Sequence, residues 1–211
     1  MISPDSGRRI RLAVFDLDGT LLPRTTACQQ IATAAGDLLT IENLERDYRA
    51  GFIDSTTFAE RALRSWSHAG ESLYQRAFAA APKIGGVEQA LVRLRAHEVV
   101  TCLVTMAPRQ FAECFPGFDH AYGSIYPTRI LNPEDKPSVV RKLQTKLGID
   151  TDAIIAFGDS DSDLPLFGYL HHTVAVNSTP NLAAVAAHRY DGVDINQALD
   201  LVWPRAEAVR R

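Results

Sequence analysis

Four short, mostly apolar runs constrain the fold of this chain more than any other feature. They are Ile10-Arg11-Leu12-Ala13-Val14-Phe15, Val99-Val100-Thr101-Cys102-Leu103-Val104, Ala153-Ile154-Ile155-Ala156-Phe157 and Thr173-Val174-Ala175-Val176. Each is too short for a helix, rich in branched residues and without apolar/polar alternation, the pattern of a strand buried on both faces. Helical spacing fills the gaps. Val87, Leu91 and Leu94 mark one helix. Val139, Leu143 and Leu147 mark another, with Pro137 in its first turn and Gly148 at its end. Thr179-Pro180 opens a third, Thr as cap and Pro at the first position. A short helix is expected from Arg109 to Cys114 and a short strand over 121–125. Strands alternating with helices predict an α/β fold: a Rossmann-like, mostly parallel sheet with helices on both faces.

Residues 26–81 interrupt that alternation. Ala27, Ile31, Ala34 and Leu38 recur at helical spacing, then Phe58, Ala62 and Trp66, then Tyr74 and Phe78. Three or four helices are expected, with no strand among them. A connection this long is no simple crossover. It predicts a small all-helical cap inserted after the first strand, on hinges near Leu22-Pro23 and from Pro82 to Gly86. The expected organisation is an α/β core from residues 9–22 and 84–203, a cap from 23–83, and flexible ends at 1–8 and 204–211.

The bulk properties narrow the function. Twenty-two basic and 25 acidic residues are scattered, for a net charge of −3, so nucleic-acid binding has no electrostatic support. No apolar run is long enough for a membrane span or for the core of a signal peptide. Cys28, Cys102 and Cys114 are few and irregularly spaced, as buried free thiols would be, and they form neither a disulfide framework nor a zinc site. A cytoplasmic protein is expected.

The first run ends in Asp16-Leu17-Asp18-Gly19-Thr20, and the third in Gly158-Asp159-Ser160-Asp161-Ser162-Asp163. In a doubly wound sheet, ligands bind outside the carboxyl ends of the strands. Thr105 ends the second run, and Lys136 opens a helix. Turn chemistry accounts for any one of these positions taken singly. Asp16, Asp18, Asp159, Asp161 and Asp163 together repel one another unless something positive lies between them. A hard divalent cation meets that need, and Mg2+ prefers carboxylate and water oxygens. Lys136 adds positive charge and Thr105 a hydroxyl, which makes a phosphate pocket with a nucleophile inside it. Asp16, already ionised, can attack phosphorus without a base and become an aspartyl phosphate. The cation and Lys136 neutralise the phosphoryl oxygens. Asp18 can protonate the leaving alkoxide, then take a proton from the hydrolytic water. Gly19 turns the chain so that both carboxylates face one substrate.

These four motifs, in this order, resemble those of the haloacid dehalogenase-like (HAD) hydrolase superfamily, over residues 10–190. The resemblance implies Asp16 as nucleophile, Asp18 as acid/base, Thr105 as a phosphoryl-oxygen ligand, and Lys136 as the charge that steadies nucleophile and phosphate. It implies Mg2+ held by Asp16, the Asp18 carbonyl and Asp159, with Asp163 a direct or water-mediated partner. Asp161 would cap the helix that follows, and Ser162 would add a supporting hydroxyl. The acid at position 18 separates the chain from the family's dehalogenases. P-type pumps carry a Lys-Thr pair after the nucleophile, which this chain does not.

The cap and the stretch from Gly158 to Asn177 most resemble subfamily IB, the phosphoserine phosphatase-like branch with a helical type 1 cap. Serine-specific members carry a Glu that reads the substrate's amine where this chain has Thr25, with Thr26 beside it. They carry a Gly-Gly pair where this chain has Met106-Ala107. Arg61 or Arg64 would grip a carboxylate, and Arg109 would contact phosphate or substrate. With Gly19, these are the expected substrate-binding residues. The Thr in place of Glu points to a neutral, less polar or larger phosphomonoester. Phosphoserine phosphatase proper, a phosphomutase and a catalytically silent phosphate-binding protein are the alternatives; monomer and homodimer both stay open. Trp66, Phe58 and Tyr74 are expected to pack the cap, unless one faces the site. His68 is expected at the surface, and the pair His171-His172 has no third zinc ligand at suitable spacing.

Overall fold

The computed structural model describes residues 10–202; the flexible ends expected at 1–8 and 204–211 lie outside the described residues. Six strands form one sheet among the described residues: β1 (Leu12–Phe15), β2 (Val100–Pro108), β3 (His120–Ser124), β4 (Ile154–Gly158), β5 (His172–Val176) and β6 (His188–Tyr190). Their order is β3-β2-β1-β4-β5-β6, and every pairing is parallel. The chain therefore leaves β1 in one direction and returns to its other side at β4. That reversal opens a crevice at the carboxyl ends of β1 and β4.

Side chains alternate across β1 and feed two cores. Ala13 and Phe15 join Leu94 of α5 (Val87–Ala96), Phe111 of α6 (Arg109–Ala112) and Ala198 of α10 (Ile195–Asp200). Leu12 and Val14 join Leu143 of α7 (Asp135–Leu147), Leu166 of α8 (Leu164–Tyr169) and Leu182 of α9 (Pro180–Val185). Phe15 stacks on Phe157, with ring centroids 4.6 Å apart. A sheet covered on both faces is what the unbroken apolar strands require.

Four helices occupy the connection after β1: α1 (Ala27–Ala35), α2 (Leu38–Arg49), α3 (Ser55–Trp66) and α4 (Leu73–Ala80). Thr26 and Gln29 cap α1 reciprocally, and Gly36 ends it with φ +82°. Leu38 therefore belongs to α2, not to the α1 stripe that its spacing suggested. The helical insert packs on the core through Phe78, whose ring meets those of Phe111 and Phe115. At the two crossings between cap and core, the Ile84 N–H donates to the Leu21 carbonyl at 3.0 Å and the Gly85 N–H to that of Val193 at 2.7 Å.

Two further expectations change, and one strand is unforeseen. β2 does not stop at Thr105 but runs on to Pro108, with a register shift against β3 between Val104 and Pro108. β6, a three-residue polar strand at the sheet edge, carries no apolar run to announce it. Cys28 and Cys102 are buried, but Cys114 is only partly so.

Candidate active site

The β1–β4 register sets the site. Asp16 donates its backbone N–H to the Phe157 carbonyl at 2.9 Å, so the Asp16 and Asp159 carboxyls leave adjacent strand ends. Lys136, in the first turn of α7, reaches between them. Its Nζ donates to Asp16 Oδ1 at 2.8 Å, to Asp163 Oδ1 at 2.7 Å and to Ser162 Oγ at 3.3 Å. Lys136, Asp16 and Asp163 are all buried. Asp163 Oδ2 accepts the N–H groups of Asp159 at 3.1 Å and Ser160 at 3.5 Å, which clamps the turn after β4. Thr20 Oγ1 donates to Asp159 Oδ1 at 3.4 Å.

Gly19 is required at its position twice over. Its φ is +81°, and a Cβ there would lie 2.0 Å from Asp159 Oδ2. Asp18 turns toward the cap: its Oδ1 accepts the Ala27 N–H at 2.7 Å, the first of α1. Thr105 Oγ1 accepts the Ala107 N–H at 3.0 Å, which leaves the hydroxyl hydrogen as a donor.

Carboxylate oxygens of Asp16, Asp159 and Asp163 come within 4.8 Å of one another, a set of hard donors suited to a divalent cation. Burial pushes Asp16 up to about 7 against the pull of Lys136. Burial, reinforced by the Asp16 charge, pushes Asp18 up to about 8 and Asp159 up to about 9. The Lys136 ammonium is drawn down by burial, but Asp16 and Asp163 outweigh that and hold it above its ordinary value. Three acids whose ionisation is disfavoured around one buried ammonium leave room for further positive charge.

Two connected cavities open from this floor. The inner one, about 210 Å3, is lined by Asp16, Asp18, Thr105 and Lys136 below and by Cys28, Glu45, Phe58 and Tyr126 above. The outer one, about 820 Å3, includes Gly19, Thr25, Asp159 and Asp161 in its lining. Met106 lines both and Ala107 the inner one.

Arg61 lines neither. Inward positions on α3 are Ala59, Ala62 and Trp66, so Arg61 and Arg64 fall on the exposed face. Arg109 is also exposed, paired with Glu113 at 2.8 Å. Asp161 does not cap the following helix; it accepts from Thr179 Oγ1 and Asn181 Nδ2, each at 2.8 Å, at the start of α9. Ser160 and Asp163 form the capping box instead. Among the cap aromatics, Phe58 faces the site, while Trp66 is buried and stacks on Tyr126. His68 is exposed, and His171 meets Asp152 at 2.5 Å.

A sequence profile described as haloacid dehalogenase-like hydrolase matches residues 13–168, most of the chain. This chain belongs to the haloacid dehalogenase-like hydrolases. Its fold, with the helical insert after the first strand, is similar to that of solved phosphoserine phosphatase structures. A structure described as a phospho-aspartyl intermediate analogue of phosphoserine phosphatase superposes with a TM-score of 0.76 at 17% identity, covering 92% of this chain and 99% of that one. A HAD family hydrolase from Salmonella enterica subsp. enterica serovar Typhi gives 0.84 at 18% identity, covering 94% of this chain and 74% of that one. A predicted phosphoglycolate phosphatase from Haemophilus somnus 129pt gives 0.62 at 18% identity, covering 92% and 98%. No curated protein sequence matches the chain. No helix among the described residues is long and apolar enough to cross a membrane.

Glu45, Tyr48, Arg49 and Tyr126 line the inner cavity without any motif to announce them. Only the Glu45/Arg49 spacing on α2 gave a signal, and such a pair reads equally as a solvated helix face.

Proposed function

We propose that this protein is a Mg2+-dependent phosphatase that hydrolyses a small-molecule phosphomonoester through an aspartyl phosphate on Asp16. The observation that carries this reading is the buried Lys136 ammonium held by Asp16 and Asp163 at the floor of a cavity roofed by the helical insert. The likeness to a phospho-aspartyl analogue of phosphoserine phosphatase supports it.

Asp16 Oδ attacks phosphorus in line with the ester oxygen. Lys136 neutralises charge on the nucleophile and on the phosphoryl group, and Thr105 donates its hydroxyl to a phosphoryl oxygen. Asp18, poised between the strand end and α1, hands its proton to the departing alkoxide and later takes one from water. The cation would be held by Asp16, the Asp18 carbonyl and Asp159, and would supply positive charge against the phosphoryl oxygens. Asp163 accepts from Lys136 and from the Asp159 N–H, so it positions Lys136 and the Asp159 turn and stands beside the cation as a direct or water-mediated partner.

The test is phosphate release from a panel of phosphomonoesters, with Mg2+ and with EDTA. Release should require the metal. Asp16→Asn, with the fold intact by circular dichroism, should lose turnover by at least about a thousandfold. Substantial turnover in that variant would remove Asp16 as the nucleophile.

A further inference from the structure

The reaction described above makes no use of Glu45, yet its carboxyl lines the same cavity as Asp16 and Asp18. It lies on α2 and is only 7% exposed. Both of its oxygens accept: Oε1 from Thr26 Oγ1 at 2.6 Å and Oε2 from Gln29 Nε2 at 2.7 Å. Gln29 Oε1 accepts from Thr25 Oγ1 at 3.0 Å, and Thr25 Oγ1 accepts from Gln30 Nε2 at 2.9 Å. Thr25, expected to meet substrate, thus orients the amide that orients Glu45. Burial is the main cause of the raised values of Asp18, Cys28 and Tyr126, and the Glu45 charge adds to each. Glu45 is therefore electrostatically part of the site.

Packing does not call for a carboxylate here. Thr26 and Gln29 cap α1 with each other's backbone N–H, independently of Glu45. An apolar side chain against Cys28, Phe58 and Tyr126 would avoid the desolvation of a charge. The loss of acid at Thr25, which argued against an amine-bearing substrate, is offset by an acid from the next helix. Each Glu45 oxygen keeps a lone pair for a further donor. Aromatic rings complete the wall: Tyr48 and Phe58 lie 5.8 Å apart by centroid, and ring faces attract ammonium groups. A ligand carboxylate finds less. Lys136 is engaged by Asp16 and Asp163, and Arg61 and Arg64 point away; Arg49, which lines both cavities, has its guanidinium 3.8 Å from Glu45 and is 69% exposed, and Arg24 lines only the outer cavity.

We propose that Glu45 is the specificity residue of this site, binding the ammonium of a short aminoalkyl phosphate that carries no carboxylate. This rests on the phosphatase reading and names its substrate class. Thr25, Thr26 and Gln29 are positioning residues for Glu45.

The experiment compares kcat/KM for ethanolamine phosphate and for propyl phosphate, which has a methyl in place of the ammonium. O-phosphoserine and p-nitrophenyl phosphate complete the set, with wild type and Glu45→Gln, which keeps the side chain's size. Wild type should favour ethanolamine phosphate by about tenfold or more, mostly through KM, the scale of a charge-assisted hydrogen bond. Glu45→Gln should lower that ratio by about tenfold. A wild-type ratio near one overturns the proposal, and needs no variant to fold. An unchanged ratio in a folded Glu45→Gln overturns it as well. Phosphoserine outrunning ethanolamine phosphate overturns the carboxylate-free class. Hydrolysis of p-nitrophenyl phosphate without amine preference sinks this inference alone, whereas Mg2+-dependent release from none of the four sinks the phosphatase reading beneath it.

Discussion

Replacing Lys136 by Met would keep most of the side-chain volume and remove the ammonium from between two buried carboxyls. Lys136 Nζ lies 2.8 Å from Asp16 Oδ1 and 2.7 Å from Asp163 Oδ1, with all three side chains nearly inaccessible. Removing one partner of a buried ion pair costs roughly 3–5 kcal/mol, because the remaining charge stays desolvated. For a chain of this size, each kcal/mol corresponds to roughly 2–4 °C in Tm, so a fall of roughly 10 °C is expected.

The pH dependence follows from the sign. Asp16 already stands at about 7 in the fold, against 3.8 as its ordinary value, and loss of Lys136 raises it further. Below about 4, both folded and unfolded states hold the proton, and Asp16 adds no penalty. As pH rises above that, the unfolded chain releases its proton while the fold retains it, so stability falls toward and through the folded value. The difference between wild type and Lys136→Met should therefore be smallest near pH 5 and largest near pH 8. Urea unfolding in EDTA at pH 5, 6.5 and 8 measures it without a metal to compensate. A loss below about 1 kcal/mol at pH 8, or one that does not change with pH, would refute the argument that this ammonium holds the buried acids together.

Gly19→Ala should place a methyl on Asp159, where the Cβ would lie 2.0 Å from Oδ2. The Mg2+ midpoint by calorimetry should rise by about tenfold or more, and an unchanged midpoint would remove Asp159 from the cation's ligands. Asp18 and Asp159, pushed up to about 8 and about 9, should make the metal-free fold lose stability as pH rises from about 4 through 9. Mg2+ should accordingly raise Tm more at pH 8 than at pH 6, and equal shifts would count against that reading.

The sheet was legible because its strands are buried on both faces, so apolar run length alone marks them. β6 escaped because an edge strand of three residues, His188–Tyr190, needs no apolar face. Leu38 was assigned to the wrong helix because its spacing from Ile31 and Ala34 fits a continuous turn. The left-handed Gly36, with φ +82°, breaks that turn. The proposed reacting groups were legible for a different reason. Asp16, Asp18, Asp159 and Asp163 sit at strand ends, where two or four residues of local spacing fix where a side chain lands. Lys136 and Thr105 entered through the order of motifs along the chain.

The substrate wall obeys other rules. It is assembled from α1, α2, α3 and the loop at Tyr126, and which face each helix presents depends on how they pack. Arg61 and Glu45 make the contrast. Both are charged residues on amphipathic cap helices, and either could have been the reader of a polar group. Arg61 falls opposite Ala62 and Trp66 and faces solvent, while Glu45 follows buried Leu44 on the inward side of α2. Comparing single positions therefore leaves out one acid: none stands at Thr25, but Glu45 of α2 lines the inner cavity and is held by Thr25's own partner Gln29. Chemistry is fixed by local motifs and selectivity by packing. A change on α2 should alter which ester is cleaved, whereas a change at the ends of β1 or β4 should alter whether any is.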